Sequence, residues 1–204
     1  MVEQLSGTGK DYFVNEGDGA FYGPKIDIQV ADALGRFHQL GTIQLDFQLP
    51  ERFDLKFTNQ NGEMERPVVI HRALLGSLER FIGVYLEHVA GAFPFWLSPE
   101  QAIIIPIKNE LHLEAAKKLE KQLKSQGFRV RLDDRNESMG LKTRQAQTGK
   151  IPFMLVLGDQ EISAGSVAVR KYGEMKSEVM PQTQLMETFF MLNLEKIPAV
   201  LREN

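Results

Sequence analysis

The chain has 204 residues, 43% of them hydrophobic, a formal net charge of -3 and no cysteine. That length suits one large domain or two small ones, with enough apolar residues for a packed core. The charge balance gives no overall basic field, so any contact with nucleic acid has to come from a local patch. Lack of cysteine excludes disulfides and thiolate metal sites, and no apolar run reaches membrane-spanning length.

Residues 1–15 carry no strong period. Gly17, Gly19 and Gly23 flank Phe21 and Tyr22 and read as a loop. Residues 25–30 alternate strictly, with Lys25, Asp27 and Gln29 on one face and Ile26, Ile28 and Val30 on the other. After a turn at Gly35, residues 38–47 predict a second strand: Thr42, Gln44 and Asp46 share one face, Ile43, Leu45 and Phe47 the opposite one. Paired as an antiparallel hairpin, the strands put both polar sets on one side. Gln39 has the opposite parity. From the residues alone this is the solvated face of a sheet or a polar substrate platform.

Asn59-Gln60-Asn61-Gly62 is a turn expected to join two strands at the sheet edge. Val68-Val69-Ile70 reads as a strand that turns straight into a helix, because from Arg72 to Val89 the apolar residues recur at helical spacing. Arg80 breaks that pattern one turn beyond Gly76 and Ser77, either as an arginine snorkelling to the surface or as a cation for an anion or a ring. The aromatics and prolines of residues 92–99 mark a domain boundary that packs against something. Strands and helices then alternate: strands at 102–107, 128–132, 151–157 and 166–171, helices at 109–127, 138–149 and 182–194. This pattern predicts a mixed sheet with helices on both faces and a core that includes Ile103, Ile105, Val130, Leu155 and Val169. Leu111, Leu113, Ala116, Leu119 and Leu123 are the expected inner face of the first of these helices. His38, His88 and His112 belong to no motif and read as surface or packing residues.

The segment Ile70-His71-Arg72-Ala73-Leu74-Leu75-Gly76-Ser77-Leu78-Glu79-Arg80-Phe81 resembles motif 3 of a class II aminoacyl-tRNA synthetase, with the histidine before the arginine in the form seen in threonyl-tRNA synthetases. Beginning at Gly17-Asp18-Gly19-Ala20-Phe21-Tyr22-Gly23-Pro24-Lys25, the resemblance runs through essentially the whole chain. It implies an antiparallel-sheet portion of the class II catalytic domain over 1–97 and an α/β anticodon-binding domain over 98–204. It also implies several hundred family residues upstream of this segment.

The implied activity is ATP-dependent formation of threonyl-adenylate and transfer to tRNA(Thr), with ATP and Mg2+ as substrate. The implied catalytic residues are Lys25 and Arg80, with Tyr22, Gln39, Thr42, Gln44, Gly76 and Ser77 contacting substrate or ATP, and for Gln39 to join Thr42 and Gln44 on one side the resemblance implies a bulge near Gly41. His71 matches a zinc ligand whose two companions lie outside this chain, so the segment alone is expected to be inactive. Asn136, Lys142, Arg144, Glu161 and Arg170 resemble the anticodon contacts. A homodimer in the full-length enzyme, a cytoplasmic location and no membrane or DNA partner complete the reading. Two alternatives stay open: a non-catalytic RNA-binding paralogue or split-gene product, and a small-molecule-binding α/β domain supported only at the level of fold.

Overall fold

The computed structural model describes residues 2–196. Contacts divide the chain into two compact units, Met1–His88 and Val89–Asn204. No helix among the described residues is long and apolar enough to cross a membrane.

In the first unit a short helix α1 (Val2–Ser6) precedes an antiparallel hairpin, β1 (Lys25–Ala31) and β2 (Phe37–Asp46). Asp32 ties its turn. The Asp32 carboxylate accepts the amides of Leu34 and Arg36, the Arg36 Nε and a hydrogen bond from His38. The bond from His38, helped by the others, holds the Asp32 carboxyl well below the usual carboxylate range despite its burial. A short helix α2 (Gln48–Arg52), absent from the sequence pattern, follows Asp46, whose Oδ1 accepts the Gln48 and Leu49 amides.

β3 (Phe57–Thr58) and β4 (Met64–Glu65) pair around the Asn59–Gly62 turn, but as a separate ribbon and not at the edge of the main sheet. β5 (Val69–Ala73) completes a sheet of order β1-β2-β5. Here the strand does not turn straight into a helix. Arg72 and Ala73 stay in the ladder opposite Ile43 and Thr42, and α3 spans only Leu78–His88. The apolar spacing over 72–77 is overridden by strand pairing and by Gly76, which sits at φ 66°. No residue of α3 is buried, and Ile28 and Ile70 are exposed on the apolar face of the sheet.

The second unit contains β6 (Ala102–Pro106), α4 (Asn109–Ser125), β7 (Val130–Leu132), α5 (Met139–Thr148), β8 (Phe153–Leu157), α6 (Asp159–Ala164), β9 (Ser166–Lys171), β10 (Glu178–Pro181) and α7 (Gln182–Glu195). The sheet order is β10-β9-β8-β6-β7, with β6 parallel to β7 and β8 and the β8, β9 and β10 pairs antiparallel. This is the expected mixed sheet. α6 and β10 were not legible as separate elements.

Ala102 and Ile104 join Ala116, Leu119 and Leu123 of α4 and Leu185 and Phe189 of α7 in one core. Ile103, Ile105 and Met154 pack with Ala146 of α5 in the core on the opposite face. All five residues expected in the core are buried. Along α4, Ala116, Leu119 and Leu123 face inward as expected, but in the first turn His112 is buried and Leu111 is exposed. A polar reason exists for that shift. His112 Nδ1 accepts the Lys108 amide and Nε2 bonds Asp159 on α6, so the imidazole clips two helix starts together.

Segment 89–101 packs as part of this second unit. Phe95 lies in the core against Phe128, Phe153 and Phe189. Arg129 donates to the Trp96 and Ser98 carbonyls, Gln101 to that of Phe95, and Lys150 to that of Ala90.

Candidate functional site

On the first unit, the register of the β1-β2-β5 sheet builds a polar face. Lys25 opposes Gln44, which opposes His71, so these three side chains form one row across the strands. One step along, Asp27 opposes Thr42. The register shifts between Ile28 and Gln29, where Gly41 and Gln39 become the successive partners and Leu40 is the extra residue. This bulge is next to Gly41, where grouping Gln39 with Thr42 and Gln44 called for one. It turns Gln39 to the polar side: Asp27 Oδ1 accepts from Gln39 Nε2 at 2.7 Å and from Thr42 Oγ1 at 2.8 Å.

Asp27 Oδ2 lies 2.8 Å from Lys25 Nζ. That hydrogen bond, opposed by desolvation, leaves the Lys25 pKa raised, so the ammonium is charged at neutral pH. Asp27 is therefore the hub of the platform, although the resemblance gave it no role. Its signal was present in the strict alternation that put it beside Lys25.

Arg80 reaches the same end of the platform from α3, with its Nη1 donating to the Gln39 carbonyl at 3.2 Å. Ser77 Oγ accepts the Arg80 amide, and the site of a Cβ on Gly76 would lie 2.8 Å from the Leu40 carbonyl. Gly76 thus lets the loop before α3 press against the bulge itself. Both a positive φ and a close backbone contact restrict that position to glycine.

At the other end, Tyr22 donates to Gln44 Oε1 and stands edge-on to the His71 ring. Phe21, Tyr22, Asp46, Gln48, Leu49, Arg52 and His71 line an open cavity of about 200 Å³. Asp46 is buried, which raises its carboxyl, but hydrogen bonds from His71 and the Leu49 and Gln48 amides outweigh burial and the net shift is downward. His71 Nε2 is 2.8 Å from Asp46 Oδ2, while Nδ1 has no partner among the described residues. A carboxylate fixing one ring nitrogen is the usual support of a ligating histidine. Even so, among the described residues no three His, Cys, Asp or Glu side chains converge on one point. One imidazole does not make a zinc centre. These residues alone do not fit one.

On the second unit the expected RNA contacts fall into different places. The loop after β7 and the start of α6 after β8 flank the C-terminal end of β6, the edge where parallel sheets take ligands. Asn136 stands exposed in the first of these segments, and Glu161 is half-buried in the second. Glu161 Oε2 accepts the Gly158 amide at 3.0 Å and so also caps α6. Arg144 is exposed on α5. Arg170 opposes Met154, toward the far end of β8, and its Nε donates to the Glu174 carbonyl.

Lys142 is a correction. It is 2% exposed, with Nζ 3.0 Å from the Asp133 carbonyl, and it cannot reach a base from there. Helix phase is the reason: Lys142 and Ala146 are the buried residues of α5.

The family model described as the tRNA synthetase class II core domain (G, H, P, S and T) matches residues 3–89, and the anticodon binding domain model matches residues 101–190. Residues 3–89 belong to the class II tRNA synthetase core family and residues 101–190 to the anticodon binding domain family. It is 52% identical over 186 residues to a threonine–tRNA ligase of Ligilactobacillus salivarius, which covers 91% of this chain and 29% of that protein. It is 56% identical over 170 residues to that of Latilactobacillus sakei, covering 83% and 26%. The chain thus spans less than a third of the length of the curated relatives it matches. Among solved structures, the RNA binding domain of threonyl-tRNA synthetase from Cryptosporidium parvum is 43% identical with a TM-score of 0.89, over 98% of this chain and 50% of that one. A putative threonyl-tRNA synthetase from Aeropyrum pernix is 31% identical with a TM-score of 0.71, over 95% and 47%.

Proposed function

We propose that this class II chain serves a threonine–tRNA ligase, its first unit contributing part of the adenylate-forming site and its second reading the anticodon of tRNA(Thr). The observation that carries the catalytic reading is the convergence of Lys25, Gln39 and Thr42 on Asp27, with Arg80 held at the Gln39 carbonyl. Two cations at one end of a polar sheet face suit a nucleotide polyphosphate.

In adenylate formation a threonine carboxylate oxygen bonds to the α-phosphorus of ATP, and the bond to pyrophosphate breaks. No side-chain nucleophile is required, so the work is positioning and charge stabilisation. Lys25 faces the charge that grows on the α-phosphoryl oxygens, and Asp27 fixes where that ammonium points. Arg80 holds the nucleotide, by stacking on adenine or pairing with phosphate. Mg2+ accompanies ATP and offsets the charge of the phosphates. Tyr22 and His71 line the neighbouring cavity as the amino-acid end, with Gln44 held beside them by Tyr22. A homodimer in the intact enzyme and a cytoplasmic location follow from the family resemblance. The lone histidine favours a second reading, in which the chain binds RNA without catalysing activation.

Calorimetric titration with ATP and Mg2+ tests the catalytic reading. Arg80→Ala and Lys25→Ala should each weaken binding about tenfold or more, as expected for lost charge-assisted contacts. Threonine-dependent pyrophosphate exchange by this chain alone should stay at background even with added zinc. ATP affinity indifferent to both substitutions would remove the catalytic reading and leave the second one.

A further inference from the structure

The loop between β7 and α5 is tied down from several sides, in part by Asp133 and Lys142, which are buried. The Asp133 amide donates to the Ile104 carbonyl, while the Asp133 carbonyl accepts from Lys142 Nζ at 3.0 Å. The buried Asp133 carboxylate is gripped by Arg135 through Nε and Nη2, at 2.8 and 2.6 Å. Asn109, in the first turn of α4, donates to the Asp134 carbonyl. The Glu137 amide donates to the Arg135 carbonyl, and Ser138 Oγ accepts the Leu141 amide to start α5. Asp134, Asn136 and Glu137 project exposed side chains without a hydrogen bond among the described residues, and of the three only Asn136 carries a neutral amide that can both donate to and accept from a base edge.

Lys142 is the unusual member. A lysine that is 2% exposed loses nearly all its hydration, and its one hydrogen bond is to a carbonyl. Such a residue is expensive to bury, and an apolar residue would fill the space beside Ala146 more cheaply. Its position fits a task at the loop. With the negative Asp133 carboxylate near it, the ammonium bonds the carbonyl three residues before Asn136. Asn109 bonds the next carbonyl from the opposite side. Two donors from two helices thus fix successive peptide planes.

We propose that Lys142 is a positioning residue for nucleotide recognition: it holds the Asp133–Glu137 loop so that Asn136 meets a base edge without first having to be ordered. This rests on the anticodon-binding reading of the second unit and adds the group that preorganises it. A preformed loop loses less freedom on binding than a mobile one, and an asparagine amide discriminates bases only when its plane is set. The account also explains why Lys142 has the sequence character of an RNA contact but lies beneath the surface.

The test uses the 204-residue chain and two synthetic RNA hairpins, one with a threonine anticodon loop and one with those bases permuted. Affinity for both is measured for the original chain, Asn136→Ala, Lys142→Met and the double variant. Lys142→Met keeps the apolar stem and removes the donor. It should lower the preference for the matched hairpin by about as much as Asn136→Ala, on the order of tenfold. The double variant should lose little more than either single one, since both act through the same side chain.

Additive losses would overturn the proposal, because a merely structural lysine has no reason to be coupled to Asn136, which it does not touch. Equal weakening of both RNAs by Lys142→Met would overturn it too. If the original chain itself fails to prefer the matched hairpin, the anticodon reading fails first and the proposal falls with it. Should Lys142→Met not fold, Asn109→Ala releases the other carbonyl and must show the same coupling to Asn136.

Discussion

Removing segment 89–97 from the second unit should sharply destabilise it, although the family resemblance implies a domain boundary after that segment. The comparison is between residues 89–204 and 98–204 as separate chains. The shorter one lacks Phe95, whose ring packs 4.6 Å from Phe189 and 5.5 Å from Phe153 between centroids. Deleting a buried phenylalanine side chain costs about 3–5 kcal/mol. Gln101 is fully buried and loses the Phe95 carbonyl, leaving one amide hydrogen unpaired at a further cost of about 1–3 kcal/mol. The sum, about 4–8 kcal/mol, is comparable to the whole stability of a domain this size, about 5–15 kcal/mol. At about 4 °C or more per kcal/mol for a domain near 100 residues, the melting midpoint should fall by at least about 16 °C, or the cooperative transition should vanish. Thermal denaturation followed by far-ultraviolet circular dichroism reads this directly. Midpoints within a few degrees of each other would show that Phe95 and Gln101 are not what anchors the segment, and would refute the reasoning.

Gly76→Ala should cost more than Gly35→Ala, about 2–3 against about 1 kcal/mol, since both glycines have positive φ but only Gly76 would press a Cβ against backbone. Equal losses in urea denaturation would remove the close contact with Leu40 as the reason. The Asp133 carboxyl is held below its usual value chiefly by the hydrogen bond from Arg135, against desolvation. A depressed carboxyl contributes stability that is present above its unfolded pKa of about 4 and is lost as pH falls through the folded value. The stability gap between the original chain and Asp133→Asn should therefore be largest near neutrality and close below about pH 4; a gap that stays constant with pH would contradict this assignment.

How far the sequence spoke for itself varies with the physics of each element. The β1–β2 hairpin was legible because half-buried strands impose strict alternation, whereas the bulge at Leu40 was expected only because the resemblance grouped Gln39 with Thr42 and Gln44 despite its opposite parity. The hub role of Asp27 was not legible, since which acid collects Lys25, Gln39 and Thr42 depends on register and not on spacing. At Arg72 and Ala73 an apolar period of helical type was overruled by a neighbouring strand offering ladder partners. Lys142 misled because its charge suggested solvent, whereas its place in the turn of α5 put it under the loop. His112 displaced Leu111 from the inner face of α4 because its two ring nitrogens serve Lys108 and Asp159. Short elements such as α2, α6 and β10 carry too few residues to establish a period, and their ends are set by caps and partners.

The most direct test of the account is a salt titration of the 204-residue chain against the matched and permuted anticodon hairpins, with Arg170→Ala beside the original. Binding by a local basic patch on a chain of net charge -3 should weaken steadily with salt for both RNAs. The matched hairpin should keep its advantage at every salt concentration, and Arg170→Ala should reduce that advantage more than it reduces total affinity. Equal affinity for the two hairpins throughout, with salt dependence alone, would show contact with the phosphate backbone only and would contradict the claim that this unit reads an anticodon.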